Sequence, residues 1–179
     1  MIKEMRQMKR SKSRLVSTVV VWCVGCLVTL AAADAATADE RSVDDACRDL
    51  IMDYAYFRDH PDPDAYAALF TEDAELSILG DTRKGRAAIR QRLAEVTGNT
   101  VHLMSTIRIT PVSATEAKGV SYVTVYTAPA GDDPHTADGW AGIGEYHDFF
   151  RRTDAGWQIA SRKLLLRLRD SGFKPPVAK

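Results

Sequence analysis

GEYHDFFRRTDAGWQIASRKL, residues 144–164, decides the fold. Aromatic and β-branched residues crowd both halves of this stretch, and Asp154-Ala155-Gly156 interrupts them. It therefore reads as the facing ends of two long strands, 140–153 and 157–168, joined by a hairpin turn. Two runs of the same texture precede it, 100–110 and 118–128, broken at Pro111 and at Pro129 through Pro134. In the first of these, alternation puts His102, Met104, Thr106 and Arg108 on one face, and Val101, Leu103, Ser105, Ile107 and Ile109 on the other.

Upstream of Gly98-Asn99 the period changes from two to about 3.6. Val43, Ala46, Cys47, Leu50, Ile51, Tyr54 and Phe57 recur at three- and four-residue steps, which predicts a helix with one apolar face. It should stop near Asp59-His60, because Pro61 disfavours helical backbone in the residue before it. Asp62-Pro63 then supplies an N-cap and a first-turn proline for a short helix running to Phe70. A strand is predicted over 74–79, closed by Gly80-Asp81, and Gly85 opens a third helix over 86–96 with Ala87, Ala88, Ile89 and Leu93 as its apolar positions. Helices followed by long strands give an α+β fold, a curved antiparallel sheet covered by three N-terminal helices.

The composition excludes several classes. Of 179 residues, 45% are apolar and 27% charged, which is a globular and not a disordered composition. Lys plus Arg and Asp plus Glu both number 24, but the balance is uneven along the chain. Six bases, Lys3, Arg6, Lys9, Arg10, Lys12 and Arg14, precede an uncharged apolar run over 15–33 and then an alanine-rich string. These are the n-region, h-region and small-residue cleavage site of a secretory signal peptide over 1–38, with cleavage after Ala33 or Ala38. A retained membrane anchor is the alternative, since the run approaches the length of a bilayer span. Cleavage after Ala33 removes six bases and one acid, and leaves 18 basic against 23 acidic residues, a net of −5. An acidic domain is a poor partner for nucleic acid. The expectation is thus a periplasmic or secreted domain over 39–170, without membrane insertion after cleavage, and an irregular tail over 171–179. Three cysteines, Cys23, Cys26 and Cys47, make no disulfide framework and no zinc spacing, so no metal is expected.

Polar side chains inside apolar elements are the informative ones, because buried polar groups need partners. Tyr54 lies on the stripe of the first helix. Asp59 ends that helix, where the negative end of the helix dipole disfavours a bare carboxylate. His102 lies in the first long strand. Arg162 in the last strand shares a face with Ala160, Leu164, Leu166 and Leu168, odd company for a guanidinium unless it lines a cavity. His60 and His147 are secondary candidates.

The segments DYAYFRDHPDPDAYAALFTEDAELSI (53–78), KGRAAIRQRL (84–93), VHLMSTIRI (101–109) and residues 144–164 resemble the SnoaL-like branch of the nuclear transport factor 2-like superfamily. The resemblance implies a cone-shaped sheet with an apolar ligand pocket at its mouth, and dimers or trimers formed through the open sheet face. Within the superfamily the chain is similar to Asp-His dyad lyases: scytalone dehydratase, hexachlorocyclohexane dehydrochlorinase and the bile acid 7α-dehydratases. The dyad of those lyases falls on Asp59 and His102, and the tyrosine and arginine of the bile acid enzymes fall on Tyr54 and Arg162. The second active-site histidine of scytalone dehydratase has no counterpart here; its place falls near Thr127. Tyr126, Tyr146 and His147 are the expected substrate-binding residues. The activity implied is a dehydratase acting on a small hydrophobic alicyclic or polycyclic substrate, a hydroxysteroid or bile-acid-like molecule, with no metal and no organic cofactor. The same fold also carries isomerases, cyclases and non-catalytic binding or association domains.

Overall fold

A computed structural model describes residues 43–131, 136, 137 and 139–172. The leader read over 1–38 lies outside the described residues, as does the tail from 173. No helix among the described residues is long and apolar enough to cross a membrane.

Helix α1 occupies 43–59 and buries Val43, Cys47, Ile51, Tyr54 and Ala55, one stripe at helical spacing. It ends at Asp59. Asp62 then caps α2 (Pro63–Ala68), its Oδ1 accepting from the N–H groups of Asp64 at 3.1 Å and Ala65 at 3.0 Å, with Pro63 in the first turn. That short break turns the chain, and α2 buries Tyr66 and Ala67.

Strand β1 (Phe70–Ile78) starts earlier than the sequence suggests, and it is followed by a strand the sequence reading did not contain, β2 (Asp81–Lys84). Leu79 and Gly80 have φ of 52° and 89°, and Ile78 pairs with Asp81. Two central residues at positive φ match the twist of flanking strands, so this is a tight hairpin rather than a strand end. Gly85, at φ 83°, leads into α3 (Arg86–Ala94). Ile89 and Leu93 form its buried face, while Ala87 is exposed.

Four long strands follow: β3 (Asn99–Ser113), β4 (Glu116–Ala128), β5 (Trp140–Thr153) and β6 (Gly156–Arg169). The six strands form one sheet in the order β2-β1-β6-β5-β4-β3. Every pairing is antiparallel except β1 with β6, which is parallel, so the sheet is mixed where a wholly antiparallel one was expected. Parallel neighbours need a long crossover, and here α3 and the β3–β5 meander supply it. The core lies between the helices and one face of the sheet, centred on Phe70, Leu76, Ile89, Phe150 and Ile159.

One alternation reading is corrected. Thr106 has φ of 50°, and the β3–β4 register slips between Ser105 and Arg108 so that Thr106 and Ile107 stand opposite Ser121. A bulge of one extra residue reverses every later side chain. Ile107 and Ile109 therefore pack on the core beside Met104, while Thr106 and Arg108 are exposed. His102 precedes the bulge and keeps its inward position.

Candidate active site

β3 is an edge strand, so alternate backbone N–H groups along it have no strand partner. The end of α1 covers that edge. Asp59 Oδ2 accepts from the His102 backbone N–H at 2.7 Å, and Asp59 Oδ1 lies 2.6 Å from His102 Nδ1. Thr100, two residues earlier on the same strand face, donates from Oγ1 to Asp59 Oδ1 at 3.1 Å. The break before α2 and the strand edge thus bring together two residues that lie 43 positions apart. The imidazole is 5% and the carboxylate 15% exposed.

The electrostatics fix the state of the pair. Burial would raise the Asp59 carboxyl, but its bonds from His102 and Thr100 hold it below the ordinary carboxylate value. Burial lowers the affinity of His102 for a proton; Asp59 opposes this, Arg58 and Arg162 add to it, and the balance lies below the ordinary histidine value. The ring is therefore neutral at pH 7, with its proton on Nδ1 toward the carboxylate. Nε2, which has no protein partner among the described residues, carries the lone pair.

Beside the dyad lies a buried cation in an aromatic box. Arg162 is 1% exposed. Its Nε and Nη2 donate to the two carboxylate oxygens of Asp148 at 2.7 and 2.8 Å. Its Cζ sits 4.0 Å from the ring centroid of Tyr54 and 4.6 Å from that of Tyr146. Tyr54 in turn packs at 5.2 Å on Tyr66 and 5.4 Å on Tyr146 between ring centroids. Burial works against the charge on Arg162, yet Asp148 holds its proton affinity above that of an ordinary arginine. Burial also pushes the hydroxyls of Tyr66 and Tyr146 well up, so both stay protonated donors.

The structure brings Asp59, His102, Tyr54, Tyr146 and Arg162 to one interior face and leaves two expected residues off it. Tyr126 stands opposite Val101 in the β3–β4 register, while His102 stands opposite Val125. Cross-strand partners share a face, so Tyr126 lies on the other side of the sheet from His102. His147 is likewise on the outer face, in contact with Glu145 at 3.0 Å, and alternation separates it from Tyr146. Arg167 and His147 together hold Glu145 down to about 2. His60 is exposed and stacks on Tyr56 at 4.4 Å.

Four participants were missed by sequence reasoning: Arg58, Thr100, Asp148 and Tyr66. Thr100 and Asp148 carried a signal, since alternation puts Thr100 on the face of His102 and Asp148 on that of Tyr146. Arg58 and Tyr66 carried none, because a helix-end arginine and a buried tyrosine are ordinary in sequence.

Among the described residues no group of three or more His, Cys, Asp or Glu side chains converges as a metal site requires. Two surface depressions, of about 330 and 340 Å³, are lined by residues of α2, β1 and α3 and by residues of β4, β5 and β6; neither includes Asp59 or His102.

Solved structures share this architecture. A provisionally assigned scytalone dehydratase of Novosphingobium aromaticivorans is 29% identical over 74% of this chain and 89% of its own, with a TM-score of 0.63. A nuclear transport factor 2-like protein of cystatin-like fold from the same organism is 29% identical over 73% and 86%, at 0.61. The hexachlorocyclohexane dehydrochlorinase LinA-type3 of Novosphingobium barchaimii is 20% identical over 78% and 99%, at 0.63, a likeness of fold. No curated protein matches the sequence. The family model of the SnoaL-like domain matches residues 39–163, from ahead of α1 to midway along β6, and the chain therefore belongs to the SnoaL-like domain family.

Proposed function

We propose that the protein is a cofactor-independent lyase that eliminates water from a small hydrophobic alicyclic or polycyclic substrate, a hydroxysteroid or bile-acid-like molecule. The observation that carries this reading is the Asp59–His102 contact, with Nδ1 committed to the carboxylate and Nε2 unpartnered. His102 Nε2 takes a proton from a carbon next to an activating group. The electrons of that C–H bond form the new double bond, and the hydroxyl on the adjacent carbon leaves, recovering the proton as water. Asp59 fixes the tautomer and stabilises the imidazolium that forms. Tyr54 donates to the departing or developing oxygen, and Arg162 stabilises negative charge there. The resemblance to dehydratases and a dehydrochlorinase supports the same reaction class; an isomerase would use the same proton abstraction and return the proton to another carbon.

The test is turnover. The purified protein is incubated with hydroxysteroids, keto-steroids and aromatic polyketides, and new conjugated absorbance and loss of 18 mass units, the mass of water, are followed. His102→Ala and Asp59→Asn should each lower the rate on the order of 10²–10⁴-fold, the range for one acid-base group, with far-UV circular dichroism unchanged. Full activity in both variants refutes the dyad. A second reading, a non-catalytic binding domain, is favoured by the two depressions that both lie away from His102. Tight binding of a panel member without turnover would select it.

The reading includes export through the N-terminal leader, checked by N-terminal sequencing of protein recovered from the periplasm or medium. It also includes a homodimer or homotrimer associated through the outer sheet face, where Val101, Leu103, Tyr122 and Tyr126 are exposed. Light scattering reads that directly.

A further inference from the structure

Asp59 hangs from the last turn of α1, where the negative end of the helix dipole works against a carboxylate and the final backbone carbonyls lack helical partners. Hydrogen bonds from β3 hold it there. Two come from His102 itself, through its backbone N–H at 2.7 Å and its Nδ1 at 2.6 Å. The third comes from the Thr100 hydroxyl at 3.1 Å, and among the described residues it is the one donor to Asp59 that His102 does not supply.

The same Thr100 Oγ1 lies 3.3 Å from the backbone oxygen of Arg58. A hydroxyl has one hydrogen to give, so it is shared between two neighbouring acceptors, the Arg58 carbonyl and the Asp59 carboxylate. The Tyr56 carbonyl in the same turn is met by the His60 N–H at 2.8 Å. Thr100 is itself well fixed: it stands opposite Thr127 in the β3–β4 register, and a β-branched side chain has few χ1 states.

The donors divide the work. Those of His102 tie the carboxylate to the ring it serves, and both belong to one residue. The hydroxyl of Thr100 ties Oδ1 to a separate point on the strand, and ties the end of α1 to the same point. Without it Asp59, which is not fully buried, is free to turn toward solvent, and the Nδ1 proton then loses its acceptor.

Resting on the reading of Asp59 and His102 as the catalytic pair, we propose that Thr100 is a positioning residue whose hydroxyl docks the end of α1 on the edge of β3 and holds Asp59 Oδ1 against His102 Nδ1. The working unit is then Thr100, Asp59 and His102, with Thr100 acting through Asp59 alone.

Thr100→Val keeps the shape of the side chain and removes the hydroxyl, whereas Thr100→Ser keeps the hydroxyl. A hydrogen bond to a charged group is worth roughly tenfold to a hundredfold, so on a steroid that wild type turns over, Thr100→Val should lower kcat about tenfold or more with KM within about twofold. Thr100→Ser should retain kcat to within about threefold. In an Asp59→Ala background Thr100→Val should lower kcat no further, because the group it acts through is gone. A second readout needs no substrate: by NMR of nitrogen-labelled protein, the His102 Nδ1 proton should exchange with water roughly tenfold or more faster in Thr100→Val than in wild type. In Thr100→Ser it should exchange as in wild type. An unchanged exchange rate or kcat in Thr100→Val, a loss that serine does not repair, or an undiminished further loss in the Asp59→Ala background overturns the proposal. If wild type turns over no steroid, the exchange rates decide alone. Faster exchange in the valine variant then upholds the placement of Asp59 by Thr100 and faults only the lyase reading, and unchanged exchange overturns the placement.

Discussion

Replacing Asp148 by Asn removes one charge from a pair whose side chains are both 0% exposed. The amide keeps the shape of the carboxylate, and Arg162 stays protonated. The variant therefore leaves a buried guanidinium with one neutral acceptor in place of two anionic ones. Breaking a buried pair by removing one partner costs about 3–5 kcal/mol, mostly the desolvation of the charge left behind. The tyrosine rings at 4.0 and 4.6 Å retain part of the stabilisation, each on the order of 1 kcal/mol. The remaining amide contact places Asp148→Asn at the low end, about 3 kcal/mol. Urea unfolding followed by circular dichroism is the assay; with m of roughly 1–3 kcal/mol/M the midpoint should fall by about 1–3 M. Removing both charges, in Asp148→Leu/Arg162→Met, should restore the midpoint to within about 1 kcal/mol of wild type, because no buried ion remains. A loss below about 1 kcal/mol in Asp148→Asn, or a double variant less stable than the single one, refutes the argument that Arg162 is held against its desolvation by Asp148.

Three further outcomes follow from particular residues. The native proton affinity of His102 is below its ordinary value of 6.5, so the unfolded chain binds the proton first on acidification and stability falls as pH drops below about 6.5. Asp59 has the same sign at lower pH, its contribution present above 3.8 and lost as pH falls through its depressed native value. Urea midpoints at pH 7.5 and 5.5 should thus drop more in wild type than in His102→Gln, and a rise in wild type relative to that variant contradicts the assignment. Gly119→Ala places a Cβ 2.8 Å from Phe150 Cε2 and 3.2 Å from Ile109 Cδ1, and overpacking of this kind should cost about 1–3 kcal/mol by thermal unfolding. Burial pushes the Cys47 thiol up to about 12, so mass-spectrometric mapping after iodoacetamide treatment at pH 8 should find Cys47 unlabelled in native protein and labelled in urea.

The local elements were legible in the sequence because local physics sets them. The α1 stripe, its end before Pro61, the Asp62 cap and the strand textures depend on residues within a few positions of one another. So did the place of Tyr54 on the buried stripe of α1, since helical period is a property of the chain itself; alternation put Tyr146 and His147 on opposite faces of β5, and only the packing of the sheet showed which face is inner. The resemblance, and no spacing rule, joined Asp59 to His102, and the edge of β3 supplied the contact. Tertiary structure alone decided the rest. The bulge at Thr106 reversed the faces of Ile107 and Ile109 because register is set across strands. The parallel seating of β1 on β6 depends on a partner laid down about 85 residues later. Tyr126 and His147 went to the outer face, which the strand pairing determines and their identities do not. Above all, tertiary structure gave Arg162 its partner: alternation already marked the residue as out of place among leucines, but only the pairing of β5 with β6 sets Asp148 opposite it and buries the two charges together.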